Sequence, residues 1–250
     1  MRADIAALTE APEIAALDLS MFGPADVANV ILQRSEVLFD VRQAGDVIRS
    51  WEAGDPGPLQ GQARRLGAEA VRRAAAVILA EYRALEPVLR PLAPRRIADI
   101  GCGYAFWDLF AARSFGSDLL LIDLETNERR HFGYSREAGA AYSSLAVARQ
   151  MLVANGIAPS TIRTLNPAVE PAETAGPVDL AVSFLSCGFH FPAATYAAFL
   201  QDAVAPSGAV ILDLRAATAE EQLAALPFAA RVEDLPSPPK ARRVLLQKAR

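Results

Sequence analysis

Residue types able to do chemistry gather in three short stretches of this chain. In the first, Asp99-Ile100-Gly101-Cys102-Gly103-Tyr104-Ala105 continues an apolar run that starts at Ile97. Asp123 closes a second apolar run, residues 119–122, twenty positions after Gly103. In the second stretch, Ser183 leads into Leu185-Ser186-Cys187-Gly188-Phe189-His190-Phe191-Pro192. In the third, His131 sits in the segment Asn127-Glu128-Arg129-Arg130-His131-Phe132-Gly133-Tyr134, and His131 and His190 are the only two histidines. Gly101 and Gly103 serve the backbone. One lets the chain reverse sharply, and the other lets a ligand approach the main chain closely. An acid at the end of the second run offers two oxygens to two neighbouring hydroxyls, as a ribose presents them.

The turn also says what kind of nucleoside it suits. A dinucleotide fingerprint wants a third glycine at position 106. Here that position is Phe106, followed by Trp107 and Asp108. Bulky rings obstruct a pyrophosphate, and a carboxylate in the first helical turn repels it, although the acid suits the helix dipole. A phosphate-free, cationic adenosine ligand fits better, and S-adenosylmethionine is one. A nicotinamide-dependent oxidoreductase lacks its glycine here and ranks lower. A non-catalytic regulatory protein that kept a cofactor-binding fold is the second alternative.

The elements that must hold these residues follow from periodicity. Residues 1–93 read as helical, with apolar positions at helical spacing in Val27, Val30, Ile31 and again in Val71, Ala75, Ile78, Leu79, Tyr82, Leu85. Gly54-Asp55-Pro56-Gly57-Pro58 breaks that region, and Pro91 and Pro94 end its second block. From residue 94 strands and helices alternate: strands over 97–100, 119–122, 161–165, 180–184 and 209–214, helices over 106–114, 139–155, 194–204 and 219–226. Residues 229–235 and 242–247 flank Ser237-Pro238-Pro239 and read as a hairpin. The pattern predicts an α/β fold: a doubly wound, mostly parallel seven-stranded sheet with a C-terminal antiparallel hairpin strand, preceded by an N-terminal helical region.

Ile97-Ala98-Asp99-Ile100-Gly101-Cys102-Gly103-Tyr104-Ala105 resembles the nucleotide motif of the class I S-adenosylmethionine-dependent methyltransferases. The resemblance covers roughly residues 93–250, including a terminal hairpin similar to the family's reversed last strand. It implies that Asp99 and Gly101 lie near the methionine end of the cofactor, with Cys102, Gly103 and Tyr104 beside them. Asp123 would hold the ribose. Asn166, at the end of the third strand, would face the adenine edge, with a turn role before Pro167 as its alternative. Ser183 joins the cofactor-binding candidates. The family's usual third glycine is Ala105 here, which crowds the cofactor slightly. Helices placed before such a fold commonly form a lid, and residues 1–93 fit that role, with Trp51, Arg64 and Arg65 as contacts. A packing or homodimerisation unit is the alternative.

Methyl transfer to a hydroxyl needs an acceptor for its proton, and His190 is the candidate general base. Its alternative roles are shaping the loop or binding substrate. Phe189, Phe191, Phe106 and Tyr104 can wall off water and face a sulfonium. Cys187 reads as a buried spectator. Asp213, near the end of the fifth strand, is a candidate to orient His190 or touch substrate. Tyr134, Tyr142, Arg129, Arg130 and Arg136 read as loop residues near the same edge. The chain as a whole is similar to bacterial small-molecule O-methyltransferases, and the 187–192 loop resembles that of sugar O-methyltransferases. The expected acceptor is therefore a small metabolite, a sugar included.

Bulk properties bound the rest. A net charge of -4, with arginines scattered along the chain, argues against nucleic acid. Two distant cysteines exclude a disulfide framework and a metal site by spacing. No segment reads as a secretory signal or a bilayer span, so the expected setting is cytoplasmic, without membrane or metal.

Overall fold

The alternating apolar runs become strands of one sheet. The structure is a computed structural model and describes residues 2–125 and 142–248 of the chain. Among these, seven strands pair: β1 (Arg96–Ile100), β2 (Asp118–Ile122), β3 (Ile162–Leu165), β4 (Val178–Ser183), β5 (Val204–Arg215), β6 (Ala229–Leu235) and β7 (Ala241–Lys248). Their spatial order is β3-β2-β1-β4-β5-β7-β6. β1 to β5 run parallel, and β7 runs antiparallel to both β5 and β6. The doubly wound, mostly parallel sheet with one reversed strand is thus the architecture the chain forms.

This order fixes where a ligand can sit. From β1 the chain moves outward through β2 to β3, then returns to the other side of β1 as β4. The loops after β1 and β4 diverge there, and a crevice opens beyond their carboxyl ends. The glycine turn follows β1, Asp123 follows β2, and the His190 loop follows β4.

Helices cover both faces. The N-terminal block supplies α1 (Arg2–Thr9), α2 (Pro12–Ala15), α3 (Pro24–Gln33), α4 (Ala44–Glu52), α5 (Gly57–Leu66) and the 25-residue α6 (Ala68–Leu92). After β1 come α7 (Phe106–Phe115), α8 (Leu145–Ala154), α9 (Ala197–Asp202) and α10 (Ala219–Ala224). Alternate strand residues point to opposite faces. Ile97, Leu119, Leu121 and Val182 join one core with α3, α6, α7 and α8, whereas Ala98, Ile100, Leu120 and Ala181 join a second core with α9. Residues 1–93 and the sheet therefore share one continuous apolar cluster.

Two elements differ from the sequence expectation. Helix 194–204 shortens to a 3-10 turn, Ala193–Tyr196, and α9, because β5 starts early at Val204. The early start works because Gly208 lies against the Asp179 carbonyl, where a Cβ would stand 2.7 Å away. The helix expected over 139–155 is described from Leu145, capped by Ser144, whose hydroxyl accepts from the Val147 N–H. His131, Arg129, Arg130, Tyr134 and Arg136 lie outside the described residues.

One buried and one half-buried ion pair tie neighbouring elements. Asp213 on β5 accepts two hydrogen bonds from Arg243 on β7, at 2.6 and 2.8 Å, and both side chains are buried. Arg34, just past α3, forks onto Glu81 of α6 at 2.7 and 2.8 Å. Removing one partner of such a pair strands the other charge in a low dielectric. Arg243→Ala is expected to destabilise the protein by about 3–5 kcal/mol in urea unfolding with an unchanged m-value; a loss below about 1 kcal/mol would show that Asp213 finds another partner or water.

Candidate functional site

The crevice is a cavity of about 680 Å³. Its lining brings together Asp99, Gly101, Cys102, Gly103, Tyr104, Asp123 and His190 from the sequence candidates. Asn166 and Ser183 lie outside it.

The turn after β1 is left-handed at three alternate positions: φ is 77° at Gly101, 57° at Gly103 and 58° at Ala105. Conformation favours glycine at the first two, and at Gly101 space demands it as well. A Cβ on Gly101 would stand 1.9 Å from Ser186 Oγ, and one on Gly103 would stand 2.6 Å from Gln33 Oε1. Ala105 takes the conformation that glycine would take without strain, at a cost of about 1–2 kcal/mol. It precedes α7, whose first turn carries Asp108.

Asp123 fastens this turn to the tip of β2. Its Oδ2 accepts from the Gly103 N–H at 2.9 Å, and its Oδ1 accepts from the Glu125 N–H at 2.9 Å and the Ser143 hydroxyl at 2.7 Å. A carboxylate has about four acceptor positions. Three are filled by the described residues, which leaves room chiefly on Oδ2. Burial pushes the Asp123 carboxyl above its ordinary range, and the three hydrogen bonds oppose that shift.

Asn166, the candidate for the adenine edge or for a turn role, is bonded within the protein. Its amide donates to the Leu124 carbonyl and to Glu125 Oε2, and its oxygen accepts from the Ala168 N–H. Glu125 Oε1 in turn caps α8 through the Leu145 N–H. The chain thus uses Asn166 to hold the turn that presents Asp123. Ser183 also works inside the protein. Its hydroxyl donates to the Ile100 carbonyl at 2.6 Å and accepts from the Cys187 N–H at 2.8 Å, which ties β4 and its loop to β1.

The loop after β4 is closely held. Leu185 adopts φ 52° and donates its N–H to Asp213 Oδ2 at 3.2 Å. Gly188 donates to the Phe191 carbonyl, and the Gln222 amide donates to the Gly188 carbonyl. Asp213 therefore holds this loop through Leu185 while it pairs with Arg243. The backbone N–H groups of Phe189 and His190 both donate to the Ser186 carbonyl. The His190 ring is half-buried and meets Phe189 edge-on at 5.2 Å. The Arg215 guanidinium lies 4.7 Å from the other ring centroid of that stack, Phe189, and donates to its carbonyl. Phe184, Phe189, Phe191 and Trp107 supply the apolar wall.

Neither cysteine is set up as a nucleophile. Burial and the negative charges of Asp123, Asp99 and Asp108 push the Cys102 thiol well above its usual range. Burial alone does the same for Cys187.

The N-terminal block closes the remaining side. Asp26, Asn29 and Gln33 occupy one face of α3. Asp26 accepts from the Tyr104 hydroxyl at 2.9 Å, and Asn29 donates to it at 3.2 Å. Gln33 donates to the Tyr142 carbonyl at 2.6 Å. Trp51 meets the Tyr142 ring edge-on at 5.9 Å. Arg65 instead pairs with Gln62 and Asp40 at the surface, away from the cavity. Gln33, Arg34 and Glu81 line the cavity, and none of them was singled out from the sequence. The only available signal was a polar stripe on an otherwise apolar helix, and a solvent-facing stripe looks identical.

No family model matches this chain, and no curated protein matches it. Solved structures of similar fold include an O-methyltransferase family protein from Burkholderia thailandensis, with 14% identity, a TM-score of 0.41, and coverage of 75% of this chain and 62% of that one. Others are a ribosomal protein L11 methylase from Lactobacillus delbrueckii subsp. bulgaricus (15%, 0.44, 63% and 71%) and precorrin-6y C5,15-methyltransferase from Geobacter metallireducens GS-15 (15%, 0.43, 71% and 89%). This chain spans less than two thirds of the Burkholderia protein's length.

Two substitutions separate space from conformation at the turn. Gly101→Ala meets both Ser186 and a forbidden φ, and is expected to cost about 1–3 kcal/mol. Ala105→Gly relieves strain and is expected to leave stability unchanged or raise it by up to about 1 kcal/mol. Thermal melts of both variants check this; equal losses in the two would contradict the geometry.

Proposed function

We propose that the protein binds S-adenosylmethionine in this cavity and transfers its methyl group to a hydroxyl of a small metabolite, a sugar included. The observation that carries this reading is the acid character of the crevice around the glycine turn. Asp123 and Asp99 line it, and among the described residues the one lining arginine, Arg34, is already forked onto Glu81. A ligand bearing phosphates would need the opposite. A nucleoside with free hydroxyls and positive charge needs this.

The residues present fit such a group. Oδ1 of Asp99 is buried and meets no donor among the described residues, which suits a cationic ligand nearby. Asp123 retains acceptor capacity for a ribose hydroxyl, and Gly103 permits close approach. When bound, S-adenosylmethionine supplies an electrophilic methyl group. The protein's own contribution is then fourfold. Asp123 and the turn fix the nucleoside end. Asp99 balances positive charge. Phe184, Phe189, Phe191 and Trp107 keep water from the reacting region. His190 accepts the proton that the acceptor hydroxyl loses, for about 10²–10⁴ in rate. Holding acceptor and donor in register supplies more, on the order of 7–11 kcal/mol. Residues 1–93 act as the lid, because α3 and α6 already form one wall of the cavity.

Titration calorimetry tests the binding half. S-adenosylmethionine and S-adenosylhomocysteine are expected to bind, NAD is not, and Asp123→Asn is expected to weaken both by about 10–100-fold, the value of one hydrogen bond to a charged group. Absence of heat with either sulfur ligand would overturn the reading. Analysis of co-purified metabolites gives the acceptor for the second half. With it, His190→Ala is expected to lower kcat by about 10²–10⁴ while S-adenosylhomocysteine affinity stays the same; near wild-type turnover at neutral pH would overturn the base role.

A further inference from the structure

Two acids bracket the glycine turn, and among the described residues no cation pairs with them. Asp99 stands on β1 and Asp108 in the first turn of α7, at 4% and 0% exposure. The two carboxyls lie within hydrogen-bonding reach of each other. Asp99 Oδ1 and both oxygens of Asp108 are buried and meet no well-aligned donor among the described residues. The ionisable groups that reach them from neighbouring elements are Asp123 beyond β2 and the Cys102 thiol in the turn. The residues paired with Asp99 across the sheet, Leu121 of β2 and Val182 of β4, carry no charge.

Two ionised carboxylates in contact, buried and uncompensated, repel strongly. The arrangement is tolerable when one proton is shared, so that one carboxyl donates to the other. Such a bond would span the turn and tie β1 to α7. Asp99 lines the cavity, and Asp108 does not. Whatever Asp108 does for a ligand, it does through Asp99.

We propose that Asp108 is a positioning residue: a proton shared with Asp99 holds the Asp99 carboxyl at the cavity wall, where it receives the ammonium group at the amino-acid end of the cofactor. The inference rests on the cofactor reading given above. Burial raises the proton affinity of both acids, and the neighbouring Asp108 raises that of Asp99 further, which agrees with a shared proton. An arriving ammonium lowers that affinity, so binding releases part of the proton and tightens as pH rises. The same pair sets a stability slope. The folded state holds its proton more tightly than the unfolded chain, so the pair's contribution is full below the ordinary carboxylate range and is lost as pH rises through the raised values.

The test compares two probes, S-adenosylhomocysteine, which carries the ammonium, and 5′-methylthioadenosine, which is the same adenosine thioether without the amino-acid group. Calorimetry of the wild type in buffers of different ionisation enthalpy is expected to show proton release with the first and none with the second. Asp108→Asn keeps a donor toward Asp99; it is expected to bind S-adenosylhomocysteine within about threefold of the wild type, without proton release. Asp108→Leu is expected to lose at least about tenfold with S-adenosylhomocysteine and to keep 5′-methylthioadenosine within about threefold. Urea midpoints are expected to fall with rising pH in the wild type and to flatten in Asp108→Asn. Equal loss of both probes in Asp108→Leu, or no loss of S-adenosylhomocysteine, would overturn the positioning role. A wild type that binds neither probe would overturn the cofactor reading, and this inference with it.

Discussion

The hydrogen bond from the Gly103 N–H to Asp123 is the contact on which the site depends. It joins the turn after β1 to the tip of β2 at 2.9 Å, across two strands that are already paired in parallel. Because the main chain itself makes the contact, side chains must be absent where the turn passes its neighbours. Ser186 from the β4 loop fills the space beside Gly101, and Gln33 from α3 fills the space beside Gly103. Three separate parts of the chain therefore meet on two glycines.

The N-terminal helices belong to the same structure as the sheet in a physical sense. They share its apolar cluster, and the polar face of α3 reaches Tyr104 through Asp26 and Asn29. The Arg34–Glu81 fork then holds the end of α3 on α6. A cavity formed this way takes its nucleoside-binding edge from the sheet and much of its opposite wall from residues before β1. On the proposed reading, cofactor recognition and acceptor selection are divided between those two parts of the chain.

The sequence made the strand-turn-helix legible, together with the acid after β2, because apolar runs and glycines leave a pattern in residue type. The reversed strand was legible from the hairpin around Pro238 and Pro239. The pairing order was not, since parallel strands carry no mark of their neighbours. Hydrogen-bond destinations were illegible too. Asn166 and Ser183 are polar residues at strand ends, as expected, yet their bonds run to Leu124, Glu125 and Ile100, inside the protein. Asp108 was read only for its charge, because its partner Asp99 is brought to it by the turn and by nothing in the local pattern. In the sequence Ala105 shows only a difference in size, whereas its backbone angle is the larger fact.

A crystal structure of the protein with S-adenosylhomocysteine tests the central claim most directly. The account predicts the ribose against Asp123 Oδ2, the thioether beside the Gly101–Gly103 turn, and the amino-acid end toward Asp99, with His190 facing the sulfur across the cavity. A ligand bound away from Asp123, or bound with its amino-acid end against the Arg34–Glu81 pair, would contradict it.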